Sequence, residues 1–267
     1  MGNNSTSFSS PPLATASASK LSPASRALRF LVALAGALLV AFIFAALGTG
    51  VYVTANGGHP PRHPSTLATI LVGMCAELPL VPYLLIVVPR MLGQTLRELG
   101  FRPLRLREIG IAALGAVAMI IIVDGLASLL ASLFHIKSQQ TPVQMLQEAG
   151  TGGTLLLFVI FATVIAPIIE ELFFRVFVFN AGRGFLGIVS AALLSGLLFG
   201  AAHFQAPAGP FFLTFFVPLA LGGMILCYVY YASANAYASM VTHGLFNSAT
   251  VSGVLLARFA PHAAHLK

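Results

Sequence analysis

The chain has 267 residues, of which only 8% are Asp, Glu, Lys or Arg and 58% are apolar, whereas an average soluble domain is about 25% charged. With a mean hydropathy of +0.92, these figures exclude a disordered chain, a coiled coil and an ordinary soluble enzyme. The net charge of +7 does not imply nucleic-acid binding, because the basic residues cluster between apolar runs, where they set membrane topology.

Residues 1–25 are polar and rich in Ser, Ala and Pro, the composition of a disordered tail. Gly2 followed by Thr6 fits the loose myristoylation pattern, which short polar starts often match. The first apolar run, 30–53, is too long for a signal peptide and long enough to span about 30 Å of hydrocarbon. Further spans are predicted at 66–89, 109–134, 154–180, 186–204, 211–231 and 235–257. The fold class is therefore all-α, a polytopic membrane helix bundle of about seven helices, six to eight being compatible with the short links near the end. The membrane domain covers 26–260, and 261–267 form a short tail. Cys75 and Cys227 both lie in apolar runs, which argues against a disulfide framework or a thiolate metal site.

Lys20, Arg26 and Arg29 precede the first span. Arg90, Arg97, Arg102, Arg105 and Arg107 fill the second loop. The loops of opposite parity carry only Arg62 and Lys137, so the N-terminus is predicted to be cytoplasmic. Arg183, in the turn after 154–180, agrees. The stretch Leu96 to Ile109 mixes Arg with apolar residues and is expected to lie along the cytoplasmic headgroups.

Seven acids remain to be placed. Glu98 and Glu108 belong to the arginine-rich loop and Glu148 to an outer loop. Glu77, Asp124, Glu170 and Glu171 lie within apolar runs, where a carboxylate costs a few kcal/mol and marks a functional site by default. For Glu77, two residues before Pro79, the plainer reading is a carboxyl that satisfies backbone near a kink or pairs with an Arg. For Asp124 it is a hydrogen-bonded packing role. Glu170 and Glu171 are adjacent and are followed by Arg175. Helical spacing lets Glu171 and Arg175 pair at i and i+4, and turns Glu170 about 100° away, without that partner.

Two later runs add His203, and His243 with Asn247 on one face at i and i+4. At about 1.5 Å per residue, Glu170 lies roughly 16 Å from a turn near residue 181, and His243 and Asn247 roughly 13 and 19 Å from residue 234. His203 comes out at roughly 24 Å from residue 187, too deep unless its helix is tilted or starts later. The four groups are predicted to share one cavity. A carboxylate and a His can activate water there, and an Asn amide is a permanent donor suited to an oxyanion.

Glu-Glu-x-x-x-Arg, Phe-x-x-x-His and His-x-x-x-Asn on successive apolar helices resemble the CAAX protease and bacteriocin-processing family. Its members are intramembrane endopeptidases, often labelled metalloproteases and related to type II CAAX prenyl endopeptidases. The matching segments cover about 154–250. The resemblance implies that Glu170 and His203 activate water, that His243 and Asn247 stabilise the oxyanion, and that Glu171 and Arg175 support the site. No motif position is substituted. The substrate implied is a membrane-associated peptide or protein, processed as a CAAX tail or bacteriocin is.

No His-Glu-x-x-His segment is present, yet Glu170, His203 and His243 could form a two-His, one-carboxylate set for a divalent metal such as Zn. Metal-free and zinc mechanisms both stay open, with a slight preference for the first. Two other functions compete with the peptidase: a non-catalytic scaffold or immunity protein binding a partner peptide, and a proton-coupled transporter using Glu77, Asp124 and the Glu pair. The lack of paired halves with broken helices counts against the transporter. The composition is compatible with a bacterial inner membrane.

Overall fold

The structure is a computed structural model that describes residues 21–61, 64–136, 141–204 and 211–264. The tail up to Lys20, with the Gly2–Thr6 pattern, lies outside the described residues, as do Arg62, Lys137 and 265–267.

The described residues form helices and no strand. They are α1 Pro23–Ala55, α2 Thr66–Leu92, α3 Leu106–Leu133, α4 Thr141–Glu148, α5 Gly153–Leu186, α6 Ile188–Ala202, α7 Phe211–Ser233 and α8 Ala236–Ala264. Six of these, all but α4 and α6, are long and apolar enough to cross a membrane. Their exposed residues are largely Leu, Ile, Val and Phe. That surface suits lipid, since polar groups have no partner in hydrocarbon.

Three expectations change. The first helix begins at Pro23, with the Ser22 side chain accepting from the Ser25 N–H, a serine N-cap followed by proline. Arg26 and Arg29 thus belong to α1, where Arg26 donates to the Gly184 carbonyl and Arg29 to that of Met91. Secondly, the stretch 96–109 does not simply lie along a headgroup layer. Leu99 is buried, and its carbonyl accepts from the Tyr230 hydroxyl at 3.0 Å. Gly100, at φ +89°, accepts from Ala236 N–H, and a Cβ there would lie 2.9 Å from that nitrogen. A side chain is excluded both by the left-handed backbone and by the contact. The same corner holds Glu108, paired with Arg102 at 2.7 Å and accepting from Asn235 at 3.0 Å.

Thirdly, 186–204 is not a full span. It is α6, 15 residues long, about 22 Å at 1.5 Å per residue. Its neighbour α7 comes very close: a Cβ on Gly196 would sit 2.6 Å from the Ala220 carbonyl, and one on Gly200 2.7 Å from that of Phe216. Small residues four apart allow that approach, and membrane helices associate through such packing. In addition, α4 occupies what reads in sequence as an outer loop. Arg258 of α8 holds it by donating to the Leu146 and Gly150 carbonyls, each at 2.9 Å.

Candidate active site

The site forms where α5, α6 and α8 meet, and irregular helix in α5 shapes it. Residues Phe161–Ile165 and Leu172–Phe179 are wound in π-helical hydrogen bonding, on either side of the α-helical turn Ala166–Glu171. Such segments often mark functional sites. Here the cause is in the sequence. Pro167 has no N–H, and the Ala166 N–H donates to Phe161. The Ala162 carbonyl is therefore left by both, and it accepts from Asn247 Nδ2 at 2.8 Å. Gly244 lets α8 come close enough: a Cβ there would lie 2.9 Å from the Thr163 carbonyl.

Glu170 and Glu171 diverge as their adjacency predicts. Glu171 and Arg175 have fully buried side chains, with Glu171 Oε1 2.9 Å from Arg175 Nη1. That contact is an ion pair whose N–H is not aligned on the oxygen, so Nη1 has no hydrogen-bond partner. Arg175 Nη2 donates to the Gly223 carbonyl at 3.3 Å, and the guanidinium lies 4.5 Å from the centroid of the Phe199 ring. The same Glu171 oxygen meets His243 Nδ1 at 3.0 Å. A carboxylate can only accept, so Nδ1 carries the proton of that bond. His243 Nε2 then faces Glu170 Oε2 at 3.9 Å, too far for a hydrogen bond. Glu170 is the more exposed of the pair, yet its Oε2 is buried with no partner.

His203 caps the end of α6, and its Nδ1 lies 2.8 Å from the Phe199 carbonyl. The carbonyl can only accept, which leaves His203 Nε2 with a free lone pair in the neutral ring. Phe199 stands between the two imidazoles, with centroids 4.8 Å from His203 and 5.6 Å from His243.

The depth discrepancy of His203 has a simple resolution. The Tyr230 ring, one turn before Ala234, stacks edge-on to Phe179 at 6.1 Å, which puts that end of α7 beside Phe179. α5 does not stop there but runs on to Leu186 and turns at Gly187, at φ +81°. α6 thus starts about 9 Å lower and spends that length climbing back. Counted along α5 and α6, Glu170 and His203 then lie at roughly the same height, and His243 lines the same cavity.

Two cavities meet at these residues. One, of about 180 Å³, is lined by Asp124, Glu170, Phe199, His203, His243 and Asn247 among others. The larger, of about 540 Å³, is lined by Glu77, Glu170, His203 and Asn247 within mostly apolar walls from α1, α2, α4 and α5. Both have room for water. Glu77 and Asp124 make no hydrogen bond to described residues, so neither the kink-satisfying or Arg-paired reading of Glu77 nor the packing role of Asp124 holds there. Among the described residues no three His, Cys, Asp or Glu side chains are arranged to hold a metal ion. Glu170, His203 and His243 share the cavity without forming a ready ligand set.

Sequence reasoning missed Pro167, Gly244, α4 and Arg258. Proline and glycine beside the motif acids and His were the only available signals. The importance of α4 rests on contacts remote in sequence.

An apolar helical bundle with a carboxylate, two imidazoles and an amide around one cavity defines a class, that of polytopic membrane proteins with a polar site inside the helical bundle. Residues 151–249 match the family model described as type II CAAX prenyl endopeptidase Rce1-like. That range, a little over a third of the chain, contains all seven motif residues and supports the CAAX protease and bacteriocin-processing family, and with it an intramembrane protease of CAAX type in general. No curated protein matches the chain, and no solved structure does.

Proposed function

We propose that the protein is an endopeptidase that hydrolyses a peptide bond of a membrane-associated peptide or protein inside the bundle. Glu170 is the general base, and His203 shares the proton it takes from water. A peptide carbonyl drawn beside Glu170 meets donors from His243 Nε2, when that nitrogen is protonated, and from the second amide N–H of Asn247. Their combined role is to hold the negative charge of the tetrahedral intermediate. Glu171 orients His243 through Nδ1, and Arg175 balances the buried charge of Glu171, an arrangement of imidazole and orienting carboxylate that recurs in hydrolases. The observation that carries this reading is the unpartnered Oε2 of Glu170, in a cavity it shares with His203, His243 and Asn247.

The mechanism needs only these side chains and water. Metal analysis of the purified protein, with turnover before and after chelation, separates it from a zinc-dependent one. Unchanged turnover after chelation is the outcome expected. The topology proposed has the N-terminus in the cytoplasm of a bacterial inner membrane, which would make the Arg-rich 90–107 loop cytoplasmic. Reporter fusions at residue 57 and at residue 100 test it, and the first should read outside.

The decisive experiment compares protein termini in cells carrying wild-type, Glu170→Ala or His203→Ala protein. Termini present only with wild-type protein identify the substrate. Identical terminal profiles in all three would refute the peptidase reading and favour a peptide-binding scaffold.

A further inference from the structure

The buried acids of the bundle differ in their partners. Glu171 has Arg175 and His243, Glu108 has Arg102, and Glu170 has His243 Nε2 at 3.9 Å. Glu77 has no cationic side chain within 4.0 Å among the described residues, and its Oε2 is buried without a hydrogen-bond partner. It sits just before the Leu78–Pro79 turn of α2 and lines the larger cavity together with Glu170. Among the described residues, the titratable groups lining this cavity are Glu77, Glu170 and His203. The α1 wall supplies only Ala37, Leu38 and Ala41, and α8 supplies Asn247.

Two carboxylates on one cavity of low dielectric are most cheaply held with a single negative charge between them, and the remaining proton belongs to the pair. Glu170 has an imidazole nearby to favour its charge, and Glu77 has nothing comparable. Peptide hydrolysis needs both species at once: a base for water and an acid for the departing nitrogen. We propose that Glu77 is the general acid of this site, holding the proton of the Glu77–Glu170 pair and giving it to the leaving amine.

This rests on the reading of Glu170 as base. Water gives a proton to Glu170 as its oxygen bonds to the carbonyl carbon. The C–N bond of the tetrahedral intermediate breaks as the Glu77 proton passes to nitrogen. The proton on Glu170 then returns to Glu77 through cavity water, and both carboxyls are reset.

The test uses the full-length protein in lipid nanodiscs. The probes are a fluorogenic peptide with a farnesylated CAAX tail and its depsipeptide analogue, in which an ester replaces the scissile amide. An ester leaves as alkoxide and depends much less on an acid. Glu77→Gln is expected to lower amide turnover by about 100-fold or more, the usual contribution of general acid catalysis, while ester turnover stays near wild type and reports a folded site. Equal losses on both probes, or no loss on either, overturn the proposal. Glu170→Gln is expected to lose both activities. If it keeps both, the base assignment fails instead. Infrared spectra at neutral pH test the proton's location without turnover: a protonated-carboxyl band should vanish in Glu77→Gln and persist in Glu170→Gln. Its persistence in Glu77→Gln also overturns the proposal.

Discussion

Replacing Arg175 with Met probes the buried ion pair with little change of volume. Glu171 is fully buried and would lose its nearest cation, at 2.9 Å. Removing one member of a buried pair costs about 3–5 kcal/mol, because the other charge stays uncompensated. His243 Nδ1 still donates to Glu171 at 3.0 Å, and a hydrogen bond to a charged group retains about 1.5–3 kcal/mol. The expected loss is therefore near the low end, about 3 kcal/mol, or a fall in Tm of about 6–12 °C for a chain of this size. The lost contact with the Phe199 ring adds to it. Circular dichroism melts in detergent measure this. Glu171→Gln combined with Arg175→Met leaves no buried charge and should recover most of the loss. An Arg175→Met protein melting with wild type, or a double variant equal to the sum of the singles, would refute the role given to this pair.

Asn247→Ala should reduce kcat by about 100-fold or more with little change in KM, as loss of one oxyanion donor does; steady-state kinetics on the fluorogenic peptide decide it. Pro167→Ala restores an N–H that can compete with Asn247 for the Ala162 carbonyl. Thermal stability should hold or rise while cleavage falls by up to about 100-fold, the cost of misplacing a group by about an ångström. Arg258→Gln weakens the tie between α8 and α4, which limited proteolysis should detect as faster cutting between 141 and 152. If the cutting rate is unchanged, α4 is held by its apolar contacts alone.

How much could be read before the structure depended on what kind of contact was involved. The apolar runs and the divergence of Glu170 from Glu171 follow from helix geometry and were legible residue by residue. The convergence of His203 with Glu170 and His243 was legible only approximately, since it depends on where α5 ends, and the chain runs two turns past the obvious place. Glu77 and Asp124 read as isolated acids because their surroundings come from other helices, α1, α4 and α5 for Glu77 and α4, α5 and α7 for Asp124.

Composition and motif spacing alone determined that this chain is a membrane helix bundle and which polar side chains are the candidates for its chemistry. Both are local properties, set by transfer of apolar surface and by the 3.6-residue turn. Only tertiary structure decided the partners. It tied His243 to Glu171 rather than Glu170, turned Asn247 onto a carbonyl freed by Pro167, and brought Glu77 to a cavity it shares with Glu170 and His203. Those outcomes depend on how closely helices approach and where each one ends, and neither is encoded within any single helix.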